Sequence, residues 1–115
     1  MKKIYSLKTC DTCKRIINEL GITSSNFEMQ DIKTEKITAG QLDEMKELAG
    51  SFESLFSRIA RKYKELDPKP SSELEYKKFI LEEYTFLKRP VIIFGKKVFV
   101  GNSKAVIEEA KKLIK

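Results

Sequence analysis

The sequence predicts an α/β domain whose four-stranded mixed sheet is flanked by helices, and three observations carry that prediction. A short apolar run, Ile4-Tyr5, is followed at once by a helical pattern that opens with Cys10-Asp11-Thr12-Cys13. Two apolar runs, Pro90 to Phe94 and Val98 to Val100, are separated by little more than a Gly-Lys turn. Between these ends, at about residues 36–87, the apolar spacing is helical. The order is βαβ, a helical block, then ββα. A right-handed βαβ crossover followed by an antiparallel hairpin makes a mixed sheet.

Each element has a local reason. Lys3 to Ser6 reads as the first strand. Cys13 to Leu20 reads as a helix, with Ile16, Ile17 and Leu20 on one face and Gly21 as its stop. Asn26 to Ile32 alternates Phe27 and Met29 with Glu28 and Gln30, which suits a second strand. In the middle, Thr38-Ala39-Gly40-Gln41 has capping-box spacing, and Leu42, Met45 and Leu48 follow at helical spacing until Gly50. A short helix is expected from about Phe52 to Phe56, followed by the basic stretch Arg58 to Lys64. Asp67-Pro68-Lys69-Pro70 forces a break. Ser72-Glu73-Leu74-Glu75 is a second capping box, leading a helix with Leu74, Phe79, Ile80 and Leu81 largely inward. The final hairpin turns on Gly95-Lys96. Gly101-Asn102-Ser103 then caps a helix from Lys104 to about Ile114, with Val106, Ile107, Ala110 and Leu113 inward. Phe27, Phe79, Phe86, Phe94 and Phe99 read as core.

Composition bounds the class. A chain of 115 residues with 41% hydrophobic and 35% charged content fits one ordinary globular domain. No run approaches the roughly 20 apolar residues of a membrane span. Met1 to Ser6 is charged but carries no apolar leader core, so a cytoplasmic location is expected. In that reducing compartment a CxxC is catalytic or sensing rather than a staple. The net charge of +6 comes from 23 Lys+Arg against 17 Asp+Glu, and the excess is spread along the chain. A spread excess favours solubility, an anionic substrate or an acidic partner; it carries no motif for specific nucleic-acid binding.

Cys10 and Cys13 are the only cysteines, placed where a helix begins. The first turn of a helix presents backbone N–H groups and the positive end of the macrodipole, which stabilise a thiolate. A second thiol one turn along can attack a mixed disulfide formed on the first. The competing readings are two buried apolar thiols or half of a zinc site. Zinc needs four ligands, usually Cys and His, and the chain has no histidine, so no metal is expected. Redox or nucleophilic chemistry at Cys10, with Cys13 as partner, is the expectation.

The chain resembles the arsenate-reductase-like family, of thioredoxin-like fold, which includes bacterial glutaredoxin-coupled arsenate reductases and the Spx transcriptional regulators. The resemblance rests on Tyr5-Ser6-Leu7-Lys8-Thr9-Cys10 through Arg15, Asp31-Ile32-Lys33, Leu55-Phe56-Ser57-Arg58 and Lys88-Arg89-Pro90-Val91-Ile92, and covers nearly the whole chain as a single domain, 1–115. It implies that Cys10 is the nucleophile, that Arg58 (or its near neighbour Arg61) and Arg89 bind an anion, and that Pro90 is a cis-proline. Where arsenate reductases carry a third arginine after the hairpin, this chain has Gly101 or a near neighbour, and no arginine follows Arg89. Conversely, Cys13 is lacking in the glutaredoxin-coupled reductases and usual in Spx-type members. Lys8 and Lys14 flank the thiols.

Two functions follow from the resemblance. As a reductase, Cys10 attacks an oxyanion, a disulfide or a glutathione mixed disulfide, and Cys13 or an external thiol resolves the adduct. No cofactor is bound; glutathione, glutaredoxin or thioredoxin supplies electrons, and the protein acts as a monomer. As a regulator, the Cys10–Cys13 disulfide is a switch on a surface that binds RNA polymerase.

Overall fold

In the computed structural model, which describes residues 1–114, the elements run β1 (Lys2–Ser6), α1 (Asp11–Leu20), β2 (Glu28–Asp31), α2 (Ala39–Ala49), α3 (Glu73–Glu82), β3 (Val91–Phe94), β4 (Lys97–Val100) and α4 (Lys104–Ile114). Short 3₁₀ turns lie at Glu53–Leu55, Arg61–Glu65 and Tyr84–Phe86. The chain divides into two compact units, one of residues 1–35 with 89–115 and one of residues 36–88.

The first unit is built on a four-stranded sheet in the order β2-β1-β3-β4. β1 pairs with β2 in parallel, Lys3 opposite Glu28 and Ser6 opposite Asp31, because α1 returns the chain to the same end of the sheet. β1 pairs antiparallel with β3, Ile4 opposite Ile92, and β3 antiparallel with β4, Val91 opposite Val100. Gly95, at φ +64°, takes the first central position of the two-residue turn between Phe94 and Lys97. Only a residue without Cβ enters that region readily, and a primed turn needs it to match the strand twist.

β1 is central, so both of its faces are covered: Ile4 and Tyr5 are fully buried. Ile4 joins Ile16, Leu20, Ile22, Phe27, Ile92, Phe99, Ile107 and Ala110 in the core. Burying each large apolar side chain contributes roughly 1.5–3 kcal/mol. Lys3 is buried on the same strand because its ammonium reaches the Glu28 carboxylate at 2.6 Å and sits 4.9 Å from the Tyr5 ring centre.

Sequence periodicity missed the inward residue in three places. In β2, which is shorter than Asn26 to Ile32, Met29 is 40% exposed while Gln30 is buried. The Gln30 amide donates to the Glu35 carbonyl at 3.0 Å and so satisfies the turn that follows the strand. In α4, Leu113 is 47% exposed, whereas Ile114 packs on the core. Ile107, Ala110 and Ile114 recur at helical spacing, and Leu113 falls beside their stripe.

The third miss lies in the second unit, where Leu74 is 78% exposed and Tyr76 is buried. Tyr76 and Ile80, four residues apart, define the inward face of α3, and Leu74 lies about 200° round the helix from Tyr76. The Tyr76 ring packs 5.1 Å from Phe56, which also meets Tyr63 at 5.8 Å and Phe86 at 5.2 Å. α2 starts at the expected capping box: Thr38 Oγ1 accepts the Gln41 N–H at 3.0 Å, and the Gln41 side chain accepts the Thr38 N–H at 3.1 Å. The second box is altered. Ser72 Oγ accepts the Glu75 N–H at 3.3 Å, but the Glu75 carboxylate takes the N–H of Ser71 at 3.1 Å. The helix expected over Phe52 to Phe56 is a single 3₁₀ turn, its first N–H groups held by the Glu73 carboxylate at 2.7 and 3.0 Å.

Candidate active site

The β1–α1 connection places the two thiols. Cys10 donates its N–H to the Leu7 carbonyl at 3.2 Å, closing a tight turn, and its carbonyl accepts the first helical bond from Lys14 at 3.0 Å. Helix α1 therefore starts at Asp11, two residues earlier than its apolar periodicity suggests, with Cys10 in the extended N-cap conformation (φ −92°, ψ 113°). Polar first-turn residues carry no apolar period, which is why the sequence pattern began at Cys13. The helix ends where expected, on left-handed Gly21 at φ +68°.

This placement separates the environments of two identical side chains. Cys10 is partly exposed and Cys13 is fully buried, and both are free thiols. Partial burial opposes ionisation of Cys10, but the Cys13 N–H and S–H, the Thr12 N–H and the Arg89 charge outweigh it and hold the thiol below its ordinary range. The two N–H groups act by their field; neither closes a full capping hydrogen bond on the sulfur. Cys13 shifts the other way. Burial pushes it up to about 11; the Leu7 N–H and Arg89 partly offset this, while its bond to Cys10 and the Cys10 charge add to it. The pair is thus a poised nucleophile with a protonated neighbour that donates to it.

Arg89 reaches this site through β3. The Arg89–Pro90 bond is cis, Pro90 is buried, and its carbonyl accepts the Gly101 N–H at 2.9 Å. Gly101 itself adopts φ +87°, a conformation that disfavours an arginine at this position. Arg89 is half-buried, and its charge is felt by both sulfurs. Lys8 and Lys14 are exposed.

Cys10, Cys13, Arg89 and Pro90 belong to the sheet unit, and Arg58 belongs to the helical unit. There the Arg58 guanidinium donates to Glu53 at 2.7 Å and to the Tyr76 hydroxyl at 2.8 Å, its centre 5.5 Å from the Tyr76 ring centroid. Arg61 opens the exposed 3₁₀ segment beyond it. Sequence reasoning missed the Tyr76 partner, 18 residues distant, and the Leu7 N–H aimed at Cys13, a backbone group with no signature in residue type. Among the described residues no group of three or more Cys, Asp or Glu is placed to hold a metal ion, and no helix is long and apolar enough to cross a membrane.

The comparisons with known proteins agree with this fold. The solution structure of an arsenate reductase (ArsC) related protein from Brucella melitensis is similar at 26% identity, covering 97% of this chain and 95% of that one, with a TM-score of 0.70. The Staphylococcus aureus protein SACOL0876 is similar at 27% identity over 95% and 97% of the two chains, with a TM-score of 0.71. An arsenate reductase from Vibrio cholerae shares the fold at 13% identity over 97% and 96%, with a TM-score of 0.77. No protein of curated function matches the sequence. The model of the ArsC family matches residues 5–110, and the chain belongs to that family.

Proposed function

We propose that this protein is a thiol oxidoreductase in which the Cys10 thiolate attacks a disulfide or a small oxyanion and Cys13 resolves the adduct. The observation that carries the reading is the asymmetry of the pair: Cys10 is partly exposed and held below its ordinary range, while the adjacent Cys13 is buried and held well above it. With a disulfide substrate, the Cys10 sulfur bonds one sulfur of the substrate and the other leaves as a thiolate. Cys13 then gives up its proton and attacks the Cys10 sulfur, releasing the second half of the substrate as a thiolate and leaving a Cys10–Cys13 disulfide. Two electrons from glutathione, glutaredoxin or thioredoxin restore the dithiol.

Arg89 holds the Cys10 charge and is the cation that meets an anionic substrate group. An assignment of Arg58 to anion binding rests on the resemblance alone; in its own unit its charge is already met by Glu53. The missing third arginine argues for weak arsenate chemistry. Each lost charge-assisted contact to an anion forfeits roughly 1.5–3 kcal/mol, about 10- to 150-fold in rate at 1.36 kcal/mol per decade. Steady-state assays with glutathione and glutaredoxin test the reading: Cys10-dependent disulfide exchange is expected to be measurable and arsenate reduction low. Absence of exchange with every donor, together with capture of RNA polymerase by the oxidised protein, would replace this reading with that of a redox-sensing regulator.

A further inference from the structure

We propose that the hairpin end of the sheet unit is a docking face for an anionic lipid surface, remote from Cys10 and independent of the chemistry proposed for it. Chain direction assembles this face. β1 starts here at Lys2, β3 ends here at Phe94, and the Gly95-Lys96 turn starts β4 at Lys97. α4 finishes at the same end, its Lys111 paired with Glu19 near the close of α1 and its Ile114 packed on the core that Phe94 joins. Strand register sets Lys2, Phe94 and Lys97 side by side across three strands, on one face. The Lys2 ammonium lies 5.3 Å from the Phe94 ring centre, and the Gly95 N–H donates to the Met1 carbonyl at 2.7 Å.

Positive charge accumulates at this end. Two of its lysines are met, Lys3 by Glu28 and Lys111 by Glu19. Lys2, Lys96, Lys97 and Lys112 are exposed, and none of the four forms an ion pair with a described residue. The connection from Gly21 to Phe27, at the same end, carries no carboxylate, and Glu108 and Glu109 lie about one turn back along α4.

The residue types select the partner. A protein interface has an apolar core and is poor in lysine. Here the turn and the strand ends are lysine, and the exposed apolar groups are single aliphatic side chains on separate elements, Met1 and Leu113. Single-stranded nucleic acid is held by aromatic faces on which bases stack. Phe94 is half-buried, with Lys2 over its ring and Phe27 stacked at 6.3 Å. A lipid surface requires neither feature: headgroups rearrange around the lysines, while lysine stems and isolated aliphatic side chains enter the boundary with the acyl chains. β1 has five residues and spans about 15 Å. Cys10 lies beyond its far end, so docking leaves the thiols facing away from lipid.

The experiment is co-sedimentation of the reduced full-length protein with phosphatidylcholine vesicles, either pure or containing about one-third phosphatidylglycerol. Binding is expected on the anionic vesicles alone. It should be lost between about 0.1 M and about 1 M salt, as the Debye length shrinks from about 10 to about 3 Å. Each lysine held at such a surface contributes about fivefold, so Lys96→Gln/Lys97→Gln should bind about 25-fold more weakly. Lys33→Gln/Lys104→Gln removes equal charge at the other end of the sheet, after β2 and at the start of α4, and should bind within about twofold of the parent. Cys10 should react with iodoacetamide equally fast on and off the vesicles. Equal weakening in the two double variants would reduce the effect to net charge and overturn the proposal. So would equal binding to neutral vesicles, protection of Cys10 by vesicles, or release from anionic vesicles by single-stranded RNA of equal charge concentration. Neither double variant touches Cys10, Cys13 or Arg89, so disulfide exchange in both should match the parent; exchange absent from all three proteins refutes the oxidoreductase reading and leaves the lipid result standing.

Discussion

Replacing Cys13 with Ala removes a hydrogen bond to the Cys10 thiolate as well as the resolving sulfur, and the two losses can be measured apart. A hydrogen bond to a charged acceptor contributes about 1.5–3 kcal/mol; the lower end applies here because Cys10 is partly exposed. About 1.5 kcal/mol is about tenfold in the thiol–thiolate equilibrium. The gain in nucleophilicity of a more basic thiolate returns part of this, with a Brønsted slope of about 0.4–0.5. At pH values where Cys10 is mostly protonated, its alkylation by iodoacetamide should therefore slow about three- to fourfold, while at high pH the variant should become about threefold faster. The two pH–rate profiles should cross. Cys13→Ser, whose hydroxyl can still donate, should lie between Cys13→Ala and the parent. Coincident profiles for all three proteins would refute the donor role of Cys13, and preferential alkylation of Cys13 in the parent would refute the assignment of Cys10 as nucleophile.

Arg89→Ala should move the Cys10 titration, followed as thiolate absorbance, to higher pH, and Arg89→Lys should move it less; an unchanged titration in both would remove Arg89 from the site. Mild oxidation should consume both thiols within one chain, so that oxidised protein runs as a monomer on non-reducing gels and Cys13→Ser instead stops at a mixed disulfide. Cys13 also links stability to pH. Its pKa is raised in the folded state to about 11 from an ordinary value of 9.0, so the folded state retains a proton that the unfolded state loses. That stabilisation is complete below about pH 9 and fades as pH rises towards 11, by about 3 kcal/mol in all. Urea unfolding over this range should decline more steeply for the parent than for Cys13→Ser; equal slopes would mean that burial does not hold the thiol protonated. In the helical unit, Phe56→Ala should cost about 3–5 kcal/mol, because its fully buried ring packs against three others. Leu74→Ala should lie within about 0.5 kcal/mol of the parent.

By itself the sequence determined which elements form, and in what order. Strand and helix periodicities, the Thr38–Gln41 box, Gly21 and the Gly95 turn are local devices, each satisfied by residues within a few positions. The nucleophilic pair was legible for the same reason: two thiols three residues apart at a helix start need nothing distant to be recognised. Tertiary structure decided which side of an element faces inward where periodicity was ambiguous. Met29, Leu74 and Leu113 are at least as apolar as the residues that displaced them, and only the neighbouring strands and helices select Gln30, Tyr76 and Ile114. It also decided the difference between the thiols. Ionisation depends on burial, on N–H groups from Leu7 and Thr12, and on the charge of Arg89, which lies 79 positions beyond Cys10 and is brought to it by the pairing of β1 with β3. Residue type supplies two equal sulfurs; the electric field that makes one a nucleophile and the other its proton-bearing partner exists only once the sheet has formed.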